Sequence, residues 1–218
     1  MATEDCDGID NDCDGDTGFV DEDGDGYSPC QIGGDCDDTD PWAYPVIVDA
    51  DADTGGDGTV DAPFSDFETA LENLDADVAP SDVESGFCRT VVLFPGLYEL
   101  EQVWDGGYLK VAGAGEFPEE VILTTPEDST QRIFDVTAGN SLALENVMLY
   151  NTDTNGDGGA VRGVGADIVL HEVSAVENRC TGDGGAVSVS SGTLTVSDSV
   201  FQYNESDDDG GALAVSSS

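Results

Sequence analysis

The sequence predicts an all-β chain, a right-handed parallel β-helix of about 26 residues per coil with an N-terminal capping helix and a small irregular segment ahead of it. Three observations lead there. Gly158-Gly159-Ala160-Val161 recurs as Gly184-Gly185-Ala186-Val187 and again as Gly210-Gly211-Ala212-Leu213, at a constant step. In the same frame Leu142, Ile168 and Leu194 align, as do Leu144, Leu170 and Val196. Between them lie short β-prone pieces separated by Gly- and Asp-rich turns, the pattern of a solenoid whose coils stack about 4.8 Å apart. Leucine-rich repeats have similar periods, but their Leu-x-x-Leu-x-Leu spacing is absent. Aligned positions should form ladders, aliphatic inside and asparagine at the bends. Asn178 aligns with Asn204, whereas the preceding coil carries Asn151 one position early.

Taken in order, residues 1–45 are rich in Asp, Gly and Cys and show no sustained apolar periodicity. Such a segment cannot build a hydrophobic core and folds only around ions and bridges. Val46-Ile47-Val48 is a short β-prone transition into an acidic loop. Ser65 to Leu74 reads as an amphipathic helix, with Ser65 as N-cap, Glu68 as capping-box partner, and Phe67, Leu71 and Leu74 on one face. Thr90 to Phe94 reads as a buried strand ended by Pro95-Gly96. The β-prone, Gly-punctuated region runs from about residue 108. A further rung opens at Ala212-Leu213-Ala214-Val215, which predicts a truncated solenoid with an open edge and end-to-end self-association. The expected division is an acidic segment, 1–45, and a capped β-helix, 46–218.

Charge narrows the function classes. The 218 residues carry 48 Asp and Glu against 5 Lys and Arg, a formal net charge of -43, and no basic residue precedes Arg89. An acidic segment of this kind repels itself unless neutralised. Nucleic acid, anionic lipid and polyuronic acids would add like charge and are poor partners; no nucleic-acid partner is expected. Divalent cations remain, or plain solvation of an acidic surface, which predicts scattered rather than regularly spaced carboxylates. No apolar run is long enough to span a membrane, and no signal peptide follows Met1, so an exported chain would already have lost its leader.

Four of the six cysteines fall early. Cys6, Cys13, Cys30 and Cys36 are flanked by Asp and Gly, which suits local disulfides in an oxidising compartment, Cys6–Cys13 and Cys30–Cys36. A thiolate metal site is the alternative, disfavoured by the lack of any CxxC pair and by hard carboxylate neighbours. For Cys88 and Cys180, a third bridge and two free thiols are both open.

The carboxylates themselves are ordered. Asp10, Asp12 and Asp14, then Gly15, with Asp21 further on, match positions 1, 3, 5, 6 and 12 of an EF-hand-like loop. Alternate side chains point into one concavity there, and Gly allows the turn that brings a backbone carbonyl and a distal carboxylate onto the ion. The pattern restarts with Asp21, Asp23, Asp25 and Gly26, but Ile32 stands at its twelfth position, so Asp35, Asp37, Asp38 and Asp40 are the candidates to complete the ligand set. No helical pattern flanks either loop; repeated calcium loops of thrombospondin-type stalks are the nearer analogy. Oxygen ligands favour calcium over transition metals, with dissociation constants of roughly 10⁻⁴–10⁻³ M for extracellular modules. Weaker candidates are Asp5 and Asp7, the loop of Asp49, Asp51, Asp53 and Asp57, and the solenoid turns. In the turns, Asp157, Asp183 and Asp209 each precede Gly-Gly. Asp153, Asn155 and Asp157 form DxNxDG, and Glu205, Asp207 and Asp209 form ExDxDG, with Arg179 and Thr181 in the matching places between. A solvated turn partly neutralised by Arg179 is the simpler account of them.

Two resemblances follow from these residues. CDGIDNDCDG followed by DEDGDGYSPCQIGGDCDDTDPWAYP resembles the MopE-type metal-binding motif of bacterial surface and secreted proteins. GTVDAPFSDFETALENL with TVVLFPGLYEL resembles the capping helix and first rung of the pectin-lyase-like β-helix superfamily. The later GGAV, FQYN and GGAL pieces are similar to the repeats of polymorphic outer-membrane proteins. The resemblances imply a secreted or cell-surface protein, adhesin-like or a structural stalk, with glycans or cell-surface proteins as partners. The MopE-type name also implies copper, yet copper prefers imidazole or sulfur and His171 is the sole histidine.

The β-helix superfamily contains lyases and glycosidases, so catalysis must be weighed. A lyase needs a basic proton acceptor and cations for the uronate, and Lys110, Arg132, Arg162 and Arg179 show no cluster in the sequence. Hydrolysis needs two carboxylates at a defined separation, which so acidic a chain would supply by accident. His171, within IVLHEV, reads as a surface or ladder residue. The expectation is a non-enzymatic calcium-binding solenoid, with a carbohydrate-binding or carbohydrate-cleaving β-helix and a surface metal scavenger as the alternatives.

Overall fold

Alternating apolar residues in short strands can hide only one face each, and the chain resolves this by coiling, so that every strand lays its apolar face inward. A computed structural model describes residues 45–77 and 89–217. They form a parallel β-solenoid of about 5 turns with about 26 residues per turn. Sheet A runs through Val46–Val48, Thr90–Leu93, Tyr108–Gly113, Ser141–Glu145, Asp167–His171 and Thr193–Ser197. Sheet B stacks Gly96–Glu99, Val121–Thr124, Met148–Tyr150, Ser174–Val176 and Val200–Gln202. Sheet C stacks Gln102–Trp104, Phe134–Val136, Val161–Val164, Val187–Ser190 and Leu213–Ser216. A short sheet D of Asp153–Thr154, Arg179–Cys180 and Glu205–Ser206 lines one corner.

The aliphatic ladders stand as expected. Ile168 lies between Leu142 and Leu194, Leu170 between Leu144 and Val196, and Val187 between Val161 and Leu213. Leu142, Leu144, Ile168 and Leu170 are at most 1% exposed, each contributing roughly 1.5–3 kcal/mol by leaving water. The Gly-Gly-Ala motif has a separate reason at each position. The first Gly is left-handed, with φ 68° at Gly158 and 73° at Gly184. A Cβ on the second would sit 2.1 Å from a carbonyl of the next coil, Gly185 O above Gly159 and Gly211 O above Gly185. The third, Ala160 or Ala186, is fully buried.

Corners are left-handed as well, in columns rather than by residue type. Asn146, Glu172 and Asp198 share one column (φ 51°, 53° and 48°), and Asn151, Glu177 and Tyr203 another (φ 54°, 57° and 57°). Such a conformation costs an L-residue roughly 1–2 kcal/mol, so the stacked register must hold it in place.

Three expectations need correction. Val46–Val48, expected as a short β-prone transition, is the first strand of sheet A, in parallel register with Thr90–Leu93. These early coils are uneven, since Val91 lies opposite Val111 but Val111 opposite Leu144. The longer step carries a 3₁₀ turn at Pro118–Glu120 and the loop from Thr125 to Thr130, which hides the period.

The helix runs Phe67–Asp77, and its cap is Asp66, not Ser65. Asp66 accepts the Thr69 amide at 2.8 Å and the Thr69 hydroxyl at 2.9 Å, so both Thr69 donors meet the cap carboxylate. Its buried face is Phe67, Ala70 and Leu74, with Leu71 only half-buried. Phe67 meets Phe134 edge to face at 6.1 Å, joining the helix to the solenoid core.

The outer side of the first strand is closed. Ile47 donates to Gly58 O at 2.8 Å and accepts from Phe64 at 3.0 Å, while Asp49 donates to Phe64 O at 2.9 Å.

The third correction concerns Asn151. The bend ladder passes through Thr152 instead, whose backbone amide and hydroxyl both donate to Asn178 Oδ1, at 3.3 and 3.0 Å. Asn178 Nδ2 then donates to Leu149 O and Asn204 Oδ1, at 2.9 and 3.0 Å.

Candidate functional site

The principal predicted metal ligands, Asp10, Asp12, Asp14, Asp21, Asp23, Asp25, Asp35, Asp37, Asp38 and Asp40, lie outside the described residues, as do Asp5, Asp7 and the cysteines Cys6, Cys13, Cys30, Cys36 and Cys88. The remaining candidates can be placed. Among the described residues no three His, Cys, Asp or Glu side chains come together as a group that could hold a metal ion. Asp49 Oδ1 accepts the Asp51 amide at 2.9 Å. Asp57 Oδ1 accepts the Thr59 hydroxyl at 2.8 Å and its amide at 3.2 Å, and these bonds, the hydroxyl first, hold its carboxyl below the usual range.

In the solenoid turns the carboxylates form a ladder of their own. Asp157 Oδ1 accepts the Asp183 amide at 3.1 Å, and Asp183 Oδ1 accepts the Asp209 amide at 2.9 Å. Each Asp thus ties its coil to the next, which is why it repeats before Gly-Gly. Arg179, flanked in register by Asp153 and Glu205, pairs with Asp207 at 3.1 Å. Asn155 stands exposed in the same turn as Asp153 and Asp157.

The basic residues do cluster, contrary to expectation. Arg132 and Arg162 converge on Asp135: Arg162 bonds both carboxylate oxygens, at 3.0 and 2.6 Å, and Arg132 reaches Oδ2 at 3.1 Å. Arg132 is only 7% exposed and also donates to Gly158 O at 3.1 Å. Burial, and after it the neighbouring Arg162, lowers its guanidinium from the ordinary value. Sequence alignment missed this trio because Phe134 pairs with Val161, out of step with the later repeat. The available signal was Asp135 itself, an outward residue between buried Phe134 and Val136.

The other cations are engaged too. Lys110 pairs with Glu145 at 2.7 Å, and Arg89 donates to Gly106 O. His171 sits on the outer face of sheet A between Glu145 and Ser197, with Nδ1 2.9 Å from Ser197 Oγ. Cys180 is a buried free thiol that donates to Gly182 O at 3.2 Å, and burial raises its pKa.

Among the surface clefts, two are lined wholly by described residues. One, of about 460 Å³, is walled by the loop from Thr125 to Thr130 and by Asn151, Asp153 and Asn155. The other, of about 330 Å³, lies between the helix and the first strand of sheet C, with Glu68, Glu72, Glu101 and Asp105 among its lining. No helix of the described residues is long and apolar enough to cross a membrane. Comparison with protein families, curated proteins and solved structures finds no match to this chain, so its classification is that of its fold, a parallel β-solenoid.

Proposed function

We propose that the chain is a non-enzymatic, calcium-binding protein of the cell surface or extracellular space, in which an acidic N-terminal segment folds around several calcium ions and a β-solenoid serves as an adhesin-like stalk. The carrying observation is the tandem spacing of Asp10, Asp12, Asp14, Asp21, Asp23 and Asp25 with Gly15 and Gly26, in a stretch lacking any Lys or Arg. The MopE-type and pectin-lyase-like resemblances agree with this reading.

The solenoid supports a scaffold role. Its five cations are each held by a carboxylate or a carbonyl, which leaves a uronate substrate without a prepared basic site. Backbone ladders, reinforced by Asn178 and Asp183, make it a stiff spacer. Calcium would fold the acidic segment and fix its angle to the solenoid. The test is calorimetric titration of the full chain with calcium after EDTA treatment. Saturable binding of several ions with a gain in ordered structure is expected; no binding at millimolar calcium refutes the proposal.

A carbohydrate-binding reading draws on the larger cleft, whose lining combines Thr and Ser hydroxyls, carboxamides and carboxylates. A glycan array scored together with a cleavage panel separates the two: binding without cleavage favours this second reading, and cleavage would overturn the non-enzymatic assignment.

A further inference from the structure

The chain contains a single Asn-Gly pair, Asn155-Gly156, and its setting differs from that of the other described asparagines. The carboxamides of Asn73, Asn140, Asn146, Asn178 and Asn204 each donate to a backbone carbonyl. Asn151 is followed by β-branched Thr152, which crowds its amide nitrogen. Asn155 is exposed, and among the described residues its carboxamide makes no hydrogen bond. Its successor is exposed as well, has no Cβ, and sits at φ 92° with nothing but the far end of Arg132 near the place a Cβ would occupy.

We infer that Asn155 is a site of spontaneous deamidation. The Gly156 amide, after losing its proton to base, attacks Asn155 Cγ. The new N–C bond closes a succinimide, and Nδ2 departs as ammonia with a proton taken from water. Water then opens the ring at one carbonyl or the other, leaving aspartate or isoaspartate. The net reaction consumes one water, releases one ammonium ion and leaves one added negative charge on the chain.

The surrounding backbone governs how this proceeds. Gly156 N–H donates to Thr181 Oγ1 at 2.9 Å, a bond that must break before the nitrogen can attack. Thr181 on the next coil is therefore a brake. Asn155 itself is clamped by its amide to Thr130 O and by its carbonyl to Arg132 Nη2, both at 3.3 Å. The aspartyl product keeps these contacts and puts a carboxylate between Asp153 and Asp157. The isoaspartyl product reroutes the main chain through the former side chain and pulls the carbonyl away from Arg132, loosening one wall of the larger cleft.

The experiment ages the folded full chain in mildly alkaline buffer and follows it by ion exchange and peptide mapping. Asn155→Asp serves as the charge standard, and Thr181→Val tests the brake, with circular dichroism confirming that both fold. One acidic species is expected, shifted by a single charge, matching the standard and mapping to Asn155; it should accumulate faster in Thr181→Val. Modification mapping to another asparagine first, or an Asn155 that stays intact when folded while the denatured chain deamidates, overturns the site. An unchanged rate in Thr181→Val overturns the brake.

Discussion

Replacing Asn178 with Ala tests whether the bend ladder holds the coils together. Asn178 is fully buried, and its side chain joins three successive coils: Thr152 below it, Leu149 beside that, and Asn204 above. Ala would strand the Thr152 amide and hydroxyl and remove the side-chain donor from the Leu149 carbonyl. Thr152 is 2% exposed and Leu149 fully buried, so water cannot replace the lost partner. An orphaned buried polar group costs about 1–3 kcal/mol, which puts the two together at about 2–6 kcal/mol. That is a large share of the about 5–15 kcal/mol by which a domain is stable. Asn204→Ala is the internal control. Asn204 is half-buried, donates only to Ala175 O, and accepts from Asn178, so its loss should cost about 1–2 kcal/mol. Urea denaturation followed by circular dichroism measures both, and hydrogen exchange reports on the Thr152 amide. If Asn178→Ala proves no worse than Asn204→Ala, or the Thr152 amide stays fully protected, the ladder is ornamental and the reasoning fails.

Further predictions follow from other contacts. Gly185→Ala places a methyl 2.1 Å from Gly211 O and should lower stability by about 1–3 kcal/mol in the same denaturation assay. Asp66→Ala should cost about 1 kcal/mol, whereas Ser65→Ala should fall well short of that, because only Asp66 reaches the Thr69 amide. Tyr98 shares its hydroxyl proton between Phe94 O and Val48 O, and burial pushes its pKa from 10.0 up to about 12. The folded chain keeps this proton where the unfolded chain loses it, so stability is unaffected below the unfolded value and falls as pH rises from 10.0 towards about 12. Tyr98→Phe should abolish that part of the alkaline slope in pH-dependent melting.

The later coils were legible because their register is regular: Leu142, Ile168 and Leu194 advertise a core column by chemistry and spacing together. Where chemistry and spacing part, reading failed. Thr152 replaces an asparagine amide with a hydroxyl, so identity pointed to Asn151 while geometry chose its neighbour. Ser65 and Asp66 are both good caps by type, and only the distance to Thr69 distinguishes them. The Arg132, Asp135 and Arg162 cluster depends on a register one residue away from the repeat, and the first coils depend on loops that no periodicity reports. The metal-ligand reading rests on spacing among Asp10 to Asp40, outside the described residues.

The closed flank of Val46–Val48 bears on how the chain is made. A ribosome releases the amino end first, so the Gly58 and Phe64 contacts can form before the later coils have emerged. Each new coil can then settle against strands already formed. The amino-end edge of sheet A is then already occupied and offers no template for pairing with a neighbouring nascent chain.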